Sequence, residues 1–286
     1  MNIIRPKSIN ELSEMLSRHV SQSMLIAGGT DVLVESRQPH FTPPQTLIDL
    51  SRLDDLKRID ENDGFIRIGA LATHTQILQN PLIRQYAPLL VEACAQVGSP
   101  PIRNRGTLGG NLCNASPCAD TVPPLLALNA EVEILGPDKI RRLPIEDFFV
   151  KPYRTVLQKN EALTAVYFSP LPAGYGSAFY KLGRRKALAI SRINMAAVIK
   201  TNDNGFIKEV RLAPGSVFPV WKRVSTAEKF LLEKKAVKEN FQKAGEITAQ
   251  EMIKISGRRW STPYKEPVVA ALVKRVLLLA AGKKEE

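Results

Sequence analysis

Two short glycine loops are the segments of this chain best suited to holding a ligand. The first comprises residues 27–31 and the second residues 107–111, and each contains a Gly-Gly pair beside a threonine. Because glycine lacks a β-carbon, backbone N–H groups at such pairs can approach an anion closely, and a threonine adds a hydroxyl donor. A single pair is better explained as a plain turn between a strand and a helix. Two pairs about 80 residues apart predict a pyrophosphate held from two sides.

The spacing of these glycines excludes two common classes of nucleotide site. Neither loop has the G-x-G-x-x-G pattern of a Rossmann fold, and neither has the Gly-Lys-Ser/Thr of a P-loop. Asp120 follows the second loop and precedes an apolar run. Two interpretations of Asp120 stay open: a helix N-cap, or a ligand for ribose or ribityl hydroxyls.

The cysteines and histidines provide little further chemistry. Cys94, Cys113 and Cys118 are too few for a four-cysteine iron–sulfur or zinc site, so we expect no metal in this chain. Cys113 and Cys118 are interpreted as small buried thiols in preference to a redox pair. His74 is predicted to lie at an exposed helix start. We identify no catalytic residue.

Cysteine content and the longest apolar run predict the cellular location. Three cysteines cannot form a disulfide framework, and no signal-peptide pattern begins the sequence. The apolar run at 268–281 is interrupted by Lys274 and Arg275, so we expect no membrane span. The sequence therefore predicts a cytoplasmic protein.

The elements that must position the loops are mixed strands and helices. At 286 residues the chain is long enough for about two domains. Strand-like and helical segments follow one another without a regular βαβ alternation, which favours an α+β fold. The segment 103–120 is too polar for a core element, and a helix is expected from Pro267 to Ala281. The Pro- and Gly-containing segment 170–174 divides the chain into domains 1–172 and 173–286.

The charge of the chain is unevenly distributed. The overall net charge is +12, but residues 1–150 carry −3 and residues 151–286 carry +15. Such an asymmetry raises a nucleic-acid-binding module as an alternative function. The aromatic content of 6% is low for base stacking, so we expect no nucleic-acid partner. We instead expect the basic half to face protein partners or an anionic electron acceptor, with association that weakens as salt is added.

A series of short motifs extends through nearly the whole chain. They are Arg5-Pro6-Lys7-Ser8, the loop 27–31, Ile68-Gly69-Ala70, 96–100, Ile102-Arg103-Asn104, the loop 107–111, Ser116-Pro117, Asp120 and 179–185. With these motifs the chain resembles the FAD-binding medium subunits of the molybdenum hydroxylases. That family includes bacterial xanthine dehydrogenase, nicotinate dehydrogenase, carbon monoxide dehydrogenase and 4-hydroxybenzoyl-CoA reductase.

The resemblance implies a fold and a cofactor site. FAD would lie, bound non-covalently, between two lobes (about 1–55 and 56–172) of a domain of the vanillyl-alcohol oxidase (PCMH) type, followed by a smaller α+β domain. The implied FAD contacts are Leu25, Ile26, Ala27, Gly28, Gly29, Thr30, Asp31 and Val32, then Thr107, Leu108, Gly109, Gly110 and Asn111, and finally Gly98, Asp120, Leu163 and Lys181. A lysine near a flavin would stabilise the anionic reduced form; the alternative is that Lys181 is a solvated strand lysine.

The resemblance also implies an electron-transfer function. A large partner subunit would carry the molybdenum cofactor, and a small one two [2Fe–2S] clusters that pass electrons to the FAD of this chain. NAD is a candidate acceptor. Ala189 stands where many relatives have an aspartate near the acceptor side of the flavin, which leaves the acceptor open. A free-standing FAD-dependent oxidase of the same fold is the alternative function.

Overall fold

The computed structural model describes residues 2–18 and 22–283. Thirteen strands are formed within these ranges, many of them rich in β-branched or aromatic residues, as strands prefer. They are β1 (Asn2–Ile4), β2 (Ser23–Ile26), β3 (Thr46–Asp49), β4 (Ile59–Asn62), β5 (Phe65–Gly69), β6 (Glu131–Leu135), β7 (Ile140–Pro144), β8 (Phe149–Lys151), β9 (Arg154–Thr155), β10 (Ala162–Phe168), β11 (Tyr175–Leu182), β12 (Ile193–Thr201) and β13 (Ile207–Gly215).

Eleven α-helices occur in the same described ranges. They are α1 (Ile9–Arg18), α2 (Thr30–Glu35), α3 (His74–Gln79), α4 (Pro81–Tyr86), α5 (Pro88–Ala95), α6 (Pro100–Arg105), α7 (Leu108–Asn114), α8 (Val122–Ala127), α9 (Ser225–Leu231), α10 (Lys238–Ser256) and α11 (Thr262–Ala280). Several start at a proline, whose fixed φ suits the first helical turn and whose missing N–H is not needed there.

Within the described residues, the N-terminal part contains two larger sheets and a two-stranded antiparallel sheet, β8-β9. The first is parallel, with the strand order β1-β3-β2, and it packs on α1 through Leu12 and Leu16. The second has five antiparallel strands in the order β4-β5-β10-β6-β7, and the helices α3, α4, α5, α7 and α8 share one core with it. The first glycine loop follows the first sheet, and the second loop lies among the helices of the second.

The C-terminal part is built on a sheet that is buried on both faces. Its order is β11-β12-β13, all antiparallel. Because side chains alternate along a strand, Phe179 and Ala196 reach the core of the N-terminal part. Ala178 and Met195 point the other way, into the core formed with α9, α10 and α11. This sheet therefore joins the two halves.

Two of the expectations about secondary structure are wrong. The segment 103–120, expected to be too polar for a core element, contains the end of α6 and the whole of α7, and Leu108, Gly109 and Leu112 are buried. The helix expected to begin at Pro267 begins at Thr262, because Pro263 occupies the first turn and Pro267 lies inside the helix. In the first case, glycine and asparagine residues that are common in loops lie in a helix. In the second, either of two prolines would suit a first helical turn.

Helices α10 and α11 approach closely at one glycine. A β-carbon at Gly245 would lie 2.3 Å from the carbonyl oxygen of Ala270 on α11. No side chain fits in that space, so the backbones of the two helices are in direct contact at Gly245.

We predict that Gly245→Ala destabilises the protein by about 1–3 kcal/mol, because the added methyl overpacks this contact although alanine is the better helix former. Urea unfolding would measure it. Gly136→Ala is the control, since its β-carbon would meet nothing closer than Lys139 O at 3.4 Å; we expect a change within about 0.5 kcal/mol. Equal effects of the two variants would contradict the prediction.

Candidate functional site

The first glycine loop ends in a helix whose first amides are unused. Gly29 adopts a left-handed conformation (φ 73°) and caps α2 without any side-chain hydrogen bond. Within the described residues, the backbone N–H groups of Thr30, Asp31 and Val32 donate to no protein acceptor. Unpaired first-turn amides carry partial positive charge and suit an anion. No residue of α2 is buried, so these donors can be reached.

The first loop lies directly against the segment before the second loop. A β-carbon at Gly28 would lie 1.9 Å from the carbonyl oxygen of Arg105 and 3.1 Å from the Cα of Gly106. Only a glycine permits this approach. The two loops are therefore neighbours in space, as the pyrophosphate hypothesis requires.

The second loop differs from the first in how its amides are used. Leu108 N donates to Ala72 O at 2.9 Å, and Gly109 N donates to Ala70 O at 2.8 Å. Gly110 N donates to the hydroxyl of Thr107, and Asn111 N to the Thr107 carbonyl. The glycines here serve close packing, since a β-carbon at Gly109 would lie 2.7 Å from Ala70. This loop can offer a ligand side-chain groups and surface, but its amides are engaged.

Asp120 is the centre of a buried polar cluster. Its Oδ2 accepts from Lys181 Nζ at 2.5 Å, and its Oδ1 accepts from Ser191 Oγ at 2.5 Å and from Asn194 Nδ2 at 2.8 Å. The side chains of Asp120 and Lys181 are each only 7% exposed. Asp120 is not the N-cap of α8, because that helix is preceded by Thr121. The alternative that Lys181 is a solvated strand lysine is also wrong, because its ammonium is buried and paired with Asp120.

A basic cleft opens beside this cluster. It has a volume of about 240 Å³ and is bordered by Gly98, Arg103 and Lys181 and by the segment 183–189. Arg103 Nη1 donates to the carbonyl oxygens of Val97 and Gly98, both at 3.0 Å, and Lys181 Nζ donates to Gln96 O at 2.9 Å. Arg185 and Lys186 complete a lining with four cations and no carboxylate. Such a lining favours an anionic group.

Beneath the cleft lies a buried pair, His74 and Cys94. His74 is 2% exposed, so the prediction of an exposed helix start is wrong. Its Nδ1 lies 3.7 Å from Cys94 Sγ. Burial, and then the charge of Arg103, lowers the pKa of His74 to about 4, so its ring is neutral at pH 7. Burial raises the pKa of the Cys94 thiol, which stays protonated.

The other two cysteines are more accessible than expected. Residue Cys113 is exposed and Cys118 is partly exposed, but burial of the thiol raises the pKa of Cys113 to about 12, so its sulfur is protonated at pH 7. Among the described residues, no group of three or more His, Cys, Asp or Glu side chains is placed to hold a metal ion. No helix in 2–18 or 22–283 is long and apolar enough to cross a membrane.

Comparison with known protein families identifies the chain. Residues 1–171 match the family described as the FAD binding domain in molybdopterin dehydrogenase. The chain belongs to the FAD-binding subunits of the molybdenum hydroxylases. In these subunits a second region follows, and residues 178–280 match the CO dehydrogenase flavoprotein C-terminal domain.

Individual relatives agree with this family over nearly the whole chain. The xanthine dehydrogenase FAD-binding subunit of Escherichia coli O157:H7 is 33% identical over 92% of this chain and 91% of its own. The nicotinate dehydrogenase FAD-subunit of Eubacterium barkeri is 32% identical over 96% and 93% of the two chains. A structure of carbon monoxide dehydrogenase from Hydrogenophaga pseudoflava superposes with a TM-score of 0.90 at 29% identity, covering 99% and 97%. The predicted family and α+β fold class are confirmed.

The residues of this FAD-binding subunit fit the cofactor. The three free amides and the hydroxyl of Thr30 are the donor set that a pyrophosphate needs. Residues 23–30 are all half-buried, so they form a wall that a ligand can still contact. The cleft beside Gly98 supplies cations for an anionic ring system.

Hydrogen bonds connect three groups of the expected contact residues: the second loop, the Asp120 cluster and the edge of the cleft. Asn111 Oδ1 accepts from Thr121 Oγ1 at 2.7 Å, which ties the second loop to the Asp120 cluster. That cluster ties Lys181 to the edge of the cleft beside Gly98. Leu163 on β10 is 5% exposed and packs in the N-terminal core. Gln96, Arg103, Ser191 and Asn194 belong to the site but were not among the expected contacts, although Gln96 and Arg103 lie inside the quoted motifs.

We predict that Asp120→Asn destabilises the subunit by about 3 kcal/mol, because it leaves the Lys181 ammonium buried without its counter-charge. Urea unfolding of the apoprotein would measure this loss. Glu233→Gln is the control, since the Lys208–Glu233 pair is 45% and 67% exposed and should be worth about 0.5 kcal/mol or less. A loss no larger than that of the control would show that the buried pair is not needed.

We also predict an acid-sensitive contribution from His74. The pKa of this group is about 4 in the folded chain and 6.5 when unperturbed, so between these values the unfolded chain binds the extra proton. His74 makes its full contribution to the free energy of unfolding above pH 6.5, and this contribution falls by about 3 kcal/mol as the pH drops to 4. Between pH 6.5 and pH 4, the free energy of unfolding measured in urea should therefore fall by about 3 kcal/mol less in His74→Gln than in the unchanged protein. Identical slopes in the two proteins would contradict the assignment.

Proposed function

We propose that this chain is the electron-transfer subunit of a multi-subunit molybdenum hydroxylase, passing electrons from [2Fe–2S] clusters of a partner subunit through FAD to an acceptor. The observation that carries the proposal is the first glycine loop, whose first-turn amides are unpaired among the described residues and which packs against Arg105 and Gly106, directly before the second loop. When bound, FAD takes up electrons singly and can release them as a pair, which links one-electron donors to two-electron acceptors.

Each group of residues in the chain has a distinct part in this proposal. The amides at 30–32 bind and orient the pyrophosphate. Lys181, held by Asp120 and Gln96 O, presents a fixed ammonium at the edge of the cleft. The neutral ring of His74 and the protonated thiol of Cys94 keep the interior beneath the cleft free of charge. We assign no catalytic residue to the described ranges 2–18 and 22–283.

The candidate acceptor is supported by the charge of the site, and the partners by the family of the chain. Arg103, Arg185 and Lys186, the cleft cations not paired with a carboxylate in the described part of the chain, favour an acceptor that carries negative charge, and NAD is the candidate. Ala189 borders the cleft and adds no carboxylate to it. A large molybdenum subunit and a small [2Fe–2S] subunit complete the complex. The organic substrate binds to the large subunit and is therefore not specified by this chain.

The domain boundaries are proposed on the same basis. β10 ends at Phe168 and β11 begins at Tyr175, so the division between 1–172 and 173–286 falls in the connection between two sheets. The two lobes at about 1–55 and 56–172 correspond to the parallel and the antiparallel sheet of the N-terminal half.

We predict that the purified chain is yellow, with about one FAD released per chain, and that Thr30→Glu lowers its affinity for FAD at least tenfold. A carboxylate in the first turn of α2 suits the helix dipole, so the fold is kept, but it repels a pyrophosphate at the same amides. Titration of the apoprotein with FAD, followed by flavin fluorescence, would measure the affinity.

Gln38→Glu is the matched control, because it makes the same charge change on an exposed residue beyond α2. It should bind FAD like the unchanged protein. A colourless chain that binds no added FAD would overturn the proposed function, and equal affinities of the two variants would remove the first loop from the site. Turnover of an organic substrate by the isolated chain would favour the free-standing FAD-dependent oxidase instead.

A further inference from the structure

An aromatic residue stands almost fully exposed on the basic half of the chain. Trp260, in the turn between α10 and α11, is 94% exposed, and Ile190 is 78% exposed. We call the surface formed by Ile190, Arg192, Arg259, Trp260, Tyr264 and Lys265 the Trp260 surface. Tryptophan and arginine are the residues most enriched among those that dominate binding energy at protein interfaces. An unburied tryptophan among arginines is therefore an unusual feature for a surface without a partner.

Contacts at Arg192, Tyr264 and Lys265 bring the segments that carry Ile190 and Trp260 together. The guanidinium of Arg192 lies 5.1 Å from the centre of the Tyr264 ring. Lys265 is one residue further along α11, and its Nζ donates to Ser216 O at 2.7 Å. Burial first, and the neighbouring charges of Arg259 and Arg192 with it, lowers the pKa of Lys265. The segments 190–192 and 259–265 thus form one patch.

The charge of the Trp260 surface is not compensated. Among the described residues, Arg192, Arg259 and Lys265 form no salt bridge; the nearest ion pair in sequence joins Arg258 to Glu266 at 3.5 Å. Arg192 and Arg259, together with the half-buried Lys265 whose Nζ is bound to Ser216 O, surround exposed apolar side chains and complement a surface that is acidic and partly apolar. A nucleic acid would use the cations and could stack on the rings, but it would leave the aliphatic side chain of Ile190 without a contact, so the composition favours a protein.

The Trp260 surface borders the candidate cofactor site. Ser191, between Ile190 and Arg192, donates to Asp120. Ser216, which holds Lys265, donates to Pro117 O at 3.1 Å, within the connection that leads to Asp120. A partner seated here would lie next to the Asp120 cluster.

We propose that the Trp260 surface docks an acidic face of the partner subunit that delivers electrons to this chain. The proposal rests on the proposed function and adds to it the surface and the chemistry of the partner. Trp260 supplies the apolar anchor, and Arg192, Arg259 and Lys265 supply the electrostatic attraction.

The test uses the complete complex, co-expressed with its partner subunits and diluted so that its dissociation can be followed by mass photometry. Trp260→Ala and Arg259→Glu should each weaken association with the electron-delivering subunit at least tenfold, and Arg259→Glu should also reduce its dependence on salt. Lys238→Glu is the matched control. It makes the same charge change on an exposed residue at the other end of α10, about 27 Å away along the helix axis.

The outcomes separate this proposal from the proposed function. FAD content should be unchanged in all three variants, since none of the three residues lies in the FAD site. If association is as tight in Trp260→Ala and Arg259→Glu as in Lys238→Glu while FAD is retained, the docking proposal fails and the proposed function stands. A chain without FAD would instead overturn the function. Salt-dependent binding of duplex DNA that Arg259→Glu abolishes, with subunit association unaffected, would assign the surface to nucleic acid and overturn the proposal.

Discussion

The buried carboxylate of Asp120 is the group on which the arrangement of the site depends. It precedes α8 in the N-terminal half, and all three of its side-chain donors, Lys181, Ser191 and Asn194, come from the C-terminal half. A buried charge that loses such partners costs several kcal/mol, so the donors must stay together for the chain to stay folded. They lie on β11, on the connection that follows it, and on β12. Asp120 therefore holds one edge of the cleft in place, and with it the relation between the two halves.

The same pair changes what Lys181 can contribute to a bound flavin. An unpaired lysine would place a full positive charge at the cleft, but the Lys181 ammonium is 2.5 Å from a carboxylate and also donates to Gln96 O. Its field is largely cancelled at a distance. The net positive potential of the cleft must then come from Arg103, Arg185 and Lys186. Lys181 is suited to giving one hydrogen bond in a fixed direction, and the arginines are suited to attracting an anion.

Sequence patterns predicted the parts of the structure that depend on local spacing. The strand Glu131–Leu135 follows from apolar alternation, the start of β12 at Ile193 follows from a mostly apolar run, and the glycine pairs located both loops. They could not show that the amides of the first loop are free while those of the second are bonded, because that difference depends on Ala70 and Ala72. The Asp120 cluster was equally out of reach, since its donors lie 61 to 74 residues away in sequence. His74 was misplaced because burial is decided by the helices that pack on it.

The uneven charge of the chain follows from how each half could hold an anion. The N-terminal half offers backbone amides at the first loop, which attract an anion with partial charges and require no basic side chain. It can therefore be almost neutral. The C-terminal half presents side-chain cations, at Arg185 and Lys186 on the cleft and at Arg192, Arg259 and Lys265 on the Trp260 surface. These two basic regions are separated by only a few residues of chain, and Ser191 between them is fixed to Asp120. The two basic regions therefore meet at a single buried hydrogen-bonded group.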